Sequence, residues 1–222
     1  MSILGPPTDW ADLIEPLVPA ILQLVITTWE AMPHPGPDQR EDDISLALCR
    51  ALRQNRDARK LMFQIHTQYV ELEPAAGEDV GRLDIAFVAL VPREDIYFCF
   101  ECKRLNVTRN GGTRAYAAEY VTFGVVRFVT GQYARGVRHG GMLGYVLDGD
   151  VNGAINNVET NLRNHCLALG MEPPGGFEPS SIFPEDQRAR ETHHRRPNDT
   201  VRFSIHHLFM GSVRQVADTP RN

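Results

Sequence analysis

The sequence predicts an α/β fold in which a mixed central β-sheet is flanked by α-helices within a single domain spanning 1–222. Three observations carry this reading. Strand-like runs at 63–71, 82–91 and 96–103 follow one another across short turn signals, as an antiparallel meander does. Beyond them the chain alternates: an apolar helical run at 116–130, a buried-strand candidate at 140–148, a helix at 151–169 and a last strand at 201–210, which is βα in character. Finally, 222 residues with 42% hydrophobic content suit one domain that buries a real core.

The first 35 residues form a helical extension to this plan. The apolar run from Leu17 to Ile26 is not a signal or a membrane span, because no Lys or Arg precedes Arg40 and Pro16, Pro19 and Gln23 punctuate it. Apolar positions 14, 17, 18, 21, 22 and 25 have helical spacing and predict an amphipathic helix from Pro16 to Ala31. The segment Pro33-His-Pro-Gly-Pro37 stops it, and Asp38 is placed to cap a second helix over 39–54. On that helix Ile44, Ala47, Leu48, Ala51 and Leu52 share a stripe. Glu41 lies about 50° from the stripe, whereas Asp42 and Asp43 point away from it. Attraction of acids to the helix N-terminus explains all three residues; an inward role singles out Glu41.

The meander contains charges where burial predicts none. In Ile96-Tyr-Phe-Cys-Phe-Glu-Cys-Lys103, period-2 alternation puts Phe98, Phe100 and Cys102 on one face and Cys99, Glu101 and Lys103 on the other. Asp84 likewise interrupts the apolar run from Leu83 to Val88. An ionised carboxylate buried among apolar side chains costs roughly several kcal/mol unless a cation or hydrogen bonds compensate. The plain alternative is a cross-strand ion pair.

Asp84, then Glu101-x-Lys103 after a hairpin turn at Pro92–Asp95, resembles the PD-(D/E)xK nuclease superfamily, the restriction-endonuclease-like fold. The resemblance implies a metal-dependent nuclease that hydrolyses phosphodiester bonds of DNA, with RNA not excluded, and the best-fitting biological setting is bacterial anti-phage defence or restriction. It implies Asp84, Glu101 and Lys103 as catalytic residues. Asp84 and Glu101, with Glu41 and the Cys102 carbonyl, would hold Mg²⁺ or Mn²⁺, since hard oxygen ligands suit these ions. The same resemblance matches Arg40-Glu41-Asp42-Asp43-Ile44 to a preceding acidic helix and 116–130 to the helix after the site strand. There Tyr116, Glu119, Tyr120, Phe123 and Arg127 are expected to share a face, with Arg127 paired to a carboxylate or contacting a phosphate. The rival reading is a non-catalytic nucleic-acid-binding or assembly subunit on the same fold.

A net charge of −5 excludes a surface that is basic all over, so nucleic-acid contact must come from local sets. Three are evident: Arg104 with Arg109, Arg127 with Arg135 and Arg138, and the dense run Arg188–Arg196, placed in an irregular surface loop over 170–200. One copy thus offers a short footprint, and a homo-oligomer or partner subunit is expected. Cys49, Cys99, Cys102 and Cys166 show no disulfide or zinc spacing, which suits reduced thiols in the cytoplasm. Adjacent His206 and His207 should face opposite ways, one core and one exposed. No repeat, Walker loop, dinucleotide glycine loop or Ser/His/Asp arrangement is present.

Overall fold

A computed structural model describes residues 12–70, 81–91, 96–197 and 201–212. The turn signals at Pro74–Glu78 and Pro92–Asp95 lie outside the described residues. The architecture is mixed α/β, with a seven-stranded sheet in the order β1-β2-β3-β6-β9-β8-β7. Its strands are β1 (Phe63–Val70), β2 (Arg82–Ala89), β3 (Tyr97–Leu105), β6 (His139–Val146), β7 (Glu178–Pro179), β8 (Ala189–Arg195) and β9 (Arg202–Gly211). A separate hairpin, β4 (Val107–Arg109) with β5 (Gly112–Arg114), follows β3. Pairing is antiparallel except where β6 runs parallel to β3 and to β9, the two crossovers that intervening helices permit.

Helices cover both faces. On one, α1 (Val18–Ala31) lays Trp29 flat on Tyr145 of β6 with ring centroids 5.4 Å apart, and α2 (Glu41–Gln54) packs over β1, β2 and β3. On the other lie α3 (Ala117–Tyr120), a π-helical turn at Val121–Val125, α4 (Val126–Val129) and α5 (Val151–Asn164). No described helix is long and apolar enough to cross a membrane.

Several expectations are corrected. The helix over 39–54 begins at Glu41; Arg40 occupies the cap position and no side chain, Asp38 included, caps it. The π turn breaks the uniform helix expected over 116–130, so Tyr120 is buried against His207 and Phe209 while Phe123 is 55% exposed and Arg127 faces elsewhere. The helix expected over 151–169 ends at Asn164.

The stretch 170–200 is not an irregular loop, since it holds β7 and β8. The strand was hidden because its buried polar groups are satisfied by distant partners. Glu191 accepts from the Ser181 amide at 3.1 Å and hydroxyl at 2.6 Å, and Thr192 bridges His194 at 2.7 Å and His207 at 2.8 Å. Arg196 is buried, with its guanidinium donating to the carbonyls of Phe128, Tyr133 and Ala134 and lying over Phe203. His206 and His207 are both buried, because β9 is an interior strand of a sheet covered on both faces. Burial holds His206 down at about 4 and pushes the His207 imidazole well below its ordinary value.

Candidate functional site

Asp84 sits where the sheet comes apart. The β2–β3 register runs from Val88↔Tyr97 to Ile85↔Phe100 and stops there. On the other side of β2, pairing with β1 skips from Thr67↔Ile85 to Tyr69↔Leu83, because Gln68 turns into the left-handed region with φ 50°. A non-glycine residue there is strained by about 1–2 kcal/mol. Asp84 therefore has no strand partner on either side among the described residues, and its carboxylate takes over backbone work, accepting the Cys102 amide at 2.7 Å through Oδ2.

Glu101, one turn of the pleat earlier on β3, is 2% exposed. Its Oε1 accepts from Lys103 Nζ at 2.7 Å and from Arg127 Nη1 at 2.9 Å, whereas Oε2 is buried with no hydrogen-bond partner among the described residues. Lys103 Nζ is held by three oxygens: Glu101 Oε1, the Cys102 carbonyl at 2.8 Å and Glu41 Oε1 at 3.2 Å. Glu41 reaches it from the N-terminus of α2, in the layer on the opposite face of the sheet, and its other oxygen accepts the Arg104 amide at 2.8 Å. Arg104 Nη1 also donates to the Gln39 carbonyl. The structure thus gathers Glu41, Asp84, Glu101, Cys102, Lys103 and Arg127 at one place.

Electrostatics follow from this crowding. Burial and the neighbouring Glu101 charge push the Asp84 carboxyl up to about 8, against opposing pulls from Lys103 and the Cys102 amide. Burial raises Glu101 as well, with Lys103 and Arg127 opposing. Burial alone would lower Lys103, but Glu101, Glu41 and Asp84 outweigh it and hold the ammonium well above its usual range.

Tyr133 completes the site and has no counterpart in the sequence reading. Its hydroxyl accepts from Arg127 Nη1 at 2.7 Å and donates to the Arg82 carbonyl at 3.1 Å, tying the start of β2 to α4. Gly81 makes room for it: a Cβ there would lie 2.5 Å from the Tyr133 ring. The sequence signal was a lone tyrosine after Gly131, which no spacing rule connects to Asp84.

The remaining predicted cations lie apart. Arg138 pairs with Asp12 at 2.6 Å, Arg109 stands 3.9 Å from Asp38 on the exposed hairpin, and Arg135 is exposed on the turn after α4. In the Arg188–Arg196 run, Arg188 bonds Asp186 and Glu30, and Arg195 bonds Glu172. Cys49, Cys99, Cys102 and Cys166 are free thiols.

Among the described residues no group of three or more His, Cys, Asp or Glu side chains is arranged to hold a metal ion. As placed, Glu41 spends both oxygens on Lys103 and Arg104. What does fit a hard divalent ion is the pair Asp84 and Glu101, with the vacant acceptor Oε2, supplemented by the Cys102 carbonyl; Mg²⁺ keeps several waters and needs few protein ligands. No family model, curated protein or solved structure matches the chain.

Proposed function

We propose that this chain is a divalent-metal-dependent nuclease of the PD-(D/E)xK type, acting on DNA within a restriction-endonuclease-like fold, with Asp84, Glu101 and Lys103 as its catalytic residues. The observation that carries the reading is the buried, unpartnered Oε2 of Glu101 beside an Asp84 whose carboxyl burial has raised. Two carboxyl groups concentrated at a break in the sheet are costly to ionise together, and a hard cation is the species that relieves them. A Mg²⁺ or Mn²⁺ ion held by Asp84, Glu101 and the Cys102 carbonyl would polarise the phosphodiester and acidify a water.

The chain's own residues supply the rest. Lys103 carries a firmly held proton close to the scissile group and stabilises charge developing on its oxygens. Arg127 favours the ionised form of Glu101 and orients it through a bond at 2.9 Å, and Tyr133 fixes Arg127. Glu41 positions the Lys103 ammonium from the opposite layer. Anti-phage defence or restriction is the setting in which a compact nuclease of this kind fits.

One observation favours a non-catalytic binding or assembly subunit instead. The Lys103 ammonium already sits among three oxygens, where it compensates the acids without any metal. Titration of Mg²⁺ and Mn²⁺ against plasmid, linear duplex, single-stranded DNA and RNA separates the two readings. Cleavage that Asp84→Ala, Glu101→Ala and Lys103→Ala each reduce at least about a thousandfold, a typical loss for a group acting on the transition state, is the expected result. Wild-type activity in all three folded variants refutes the assignment.

A further inference from the structure

Among the described residues, a run of positive charge short of acidic partners lies outside the three basic sets visible in the sequence. Between residues 50 and 60, Arg50, Arg53, Arg56, Arg59 and Lys60 stand against the single acid Asp57, in a chain whose net charge is −5. All five are exposed. Arg50, Arg53, Arg56 and Arg59 make no ion pair among the described residues; Arg53 spends Nε on the Ile65 carbonyl at 2.6 Å, and Lys60 bonds Asp57 at 2.6 Å. By contrast Arg114, Arg138, Arg188 and Arg195, the obvious candidates elsewhere, are each held by a carboxylate.

The stripe is mechanically continuous with the candidate site. Glu41 opens α2 at the Lys103 ammonium, and Arg50 and Arg53 close the same helix, with Arg56, Arg59 and Lys60 on the following 3₁₀ turn. At about 1.5 Å per residue, α2 sets the stripe roughly 20 Å from the site. At about 3.4 Å per nucleotide step of a strand, that is some six base pairs of duplex.

We propose that Arg50–Lys60 is a phosphate-binding stripe that grips duplex DNA about six base pairs from the cleavage site, so that productive binding requires a duplex long enough to span both. The proposal rests on the nuclease reading for the second point of contact. Duplex fits because its phosphates form a regular, stiff array that can meet cations on a rigid helix and a site at its far end together. Each phosphate contact steepens the salt dependence of log K by about 0.9 on B-DNA.

The test is fluorescence anisotropy with labelled hairpin duplexes whose stems are four and twenty base pairs long, in Ca²⁺ across a salt series, using wild type, Arg56→Glu/Arg59→Glu/Lys60→Glu and the milder triple glutamine variant. Wild type should prefer the longer duplex by well over the few-fold gain from extra binding registers. Charge reversal should abolish that preference, lower the salt slope by about 2–3 and weaken binding of the longer duplex at least about tenfold. The glutamine variant should move in the same direction while melting like wild type. An unchanged slope and length preference in both variants overturns the stripe.

Met62 and Leu90 are exposed beside it, so vesicles of anionic phospholipid are the discriminating control. Preference for vesicles over duplex also overturns it. The two readings fail separately: stripe-dependent duplex binding without cleavage in Mg²⁺ or Mn²⁺ removes the nuclease, and cleavage with a stripe-independent salt slope removes the stripe.

Discussion

Replacing Asp84 by Asn should stabilise the metal-free protein, and the gain should depend on pH. In the folded chain burial and the Glu101 charge lift the Asp84 carboxyl from its ordinary 3.8 to about 8. Between those values the folded protein holds a proton that the unfolded chain has released. Stability therefore falls as pH rises from about 4 to about 8, and flattens beyond. At about 1.36 kcal/mol per pH unit the ceiling on this cost is near 5–6 kcal/mol. Lys103 can shift toward the charge and water can enter the partly exposed site, so about 1–3 kcal/mol is the working expectation. Asn keeps an oxygen for the Cys102 amide and never ionises. At roughly 2–4 °C per kcal/mol for a chain of this length, Asp84→Asn should melt about 2–12 °C higher than wild type at pH 8, and close to wild type at pH 4. Differential scanning calorimetry with EDTA across that range measures it. A variant that melts lower at pH 8, or a difference that does not change with pH, refutes the electrostatic account of the site.

Glu41→Gln should weaken Mg²⁺-dependent cleavage or raise the metal concentration it needs, since Glu41 holds both the Lys103 ammonium and the Arg104 amide, whereas Asp43→Asn should leave both unchanged; equal small effects return these acids to the helix N-terminus. Arg127→Met removes one of two donors to the buried Glu101 and the donor to Tyr133. It should cost about 2 kcal/mol in urea denaturation, with Arg127→Lys recovering part; a neutral Arg127→Met shows that Lys103 alone satisfies Glu101.

The site strand was legible because its information is local. Alternation with period 2 places Glu101 and Lys103 on one face of β3, and a period of 3.6 turns Glu41 inward and Asp43 outward, with no knowledge of the rest of the molecule. The meander and the parallel pairing of β3 with β6 follow from connection lengths, short between β2 and β3 and helix-bearing before β6. The β8 strand was not legible, since Arg190, Glu191, Thr192, His193 and His194 read as a solvated loop. Their partners, Ser181, Leu169, His207 and Ser204, come from elsewhere in the chain. The basic stripe at 50–60 is inconspicuous in the sequence for the converse reason: its arginines lie within and just beyond an amphipathic helix, where exposed charge is ordinary. What sets it apart is that Arg114, Arg138, Arg188 and Arg195 are each held by a carboxylate while four of its five cations are not.

The π turn at Val121–Val125 means that the span Ala117–Val129 contains one residue more than an α-helix of the same reach would use. Tyr120 before it and Arg127 after it are seven residues apart, which in uniform α geometry would put them on nearly the same face. The surplus residue breaks that phase, letting Tyr120 reach His207 while Arg127 reaches Glu101. The ends are thus decoupled from the length of the middle. Deleting one residue between Val121 and Phe123 should be absorbed as ordinary α-helix, leaving both contacts and Gly124, which packs on Met142 and Glu101, in place. Adding one residue elsewhere in the same span leaves no such slack and swings Arg127 by about 100°, away from the carboxylate it serves.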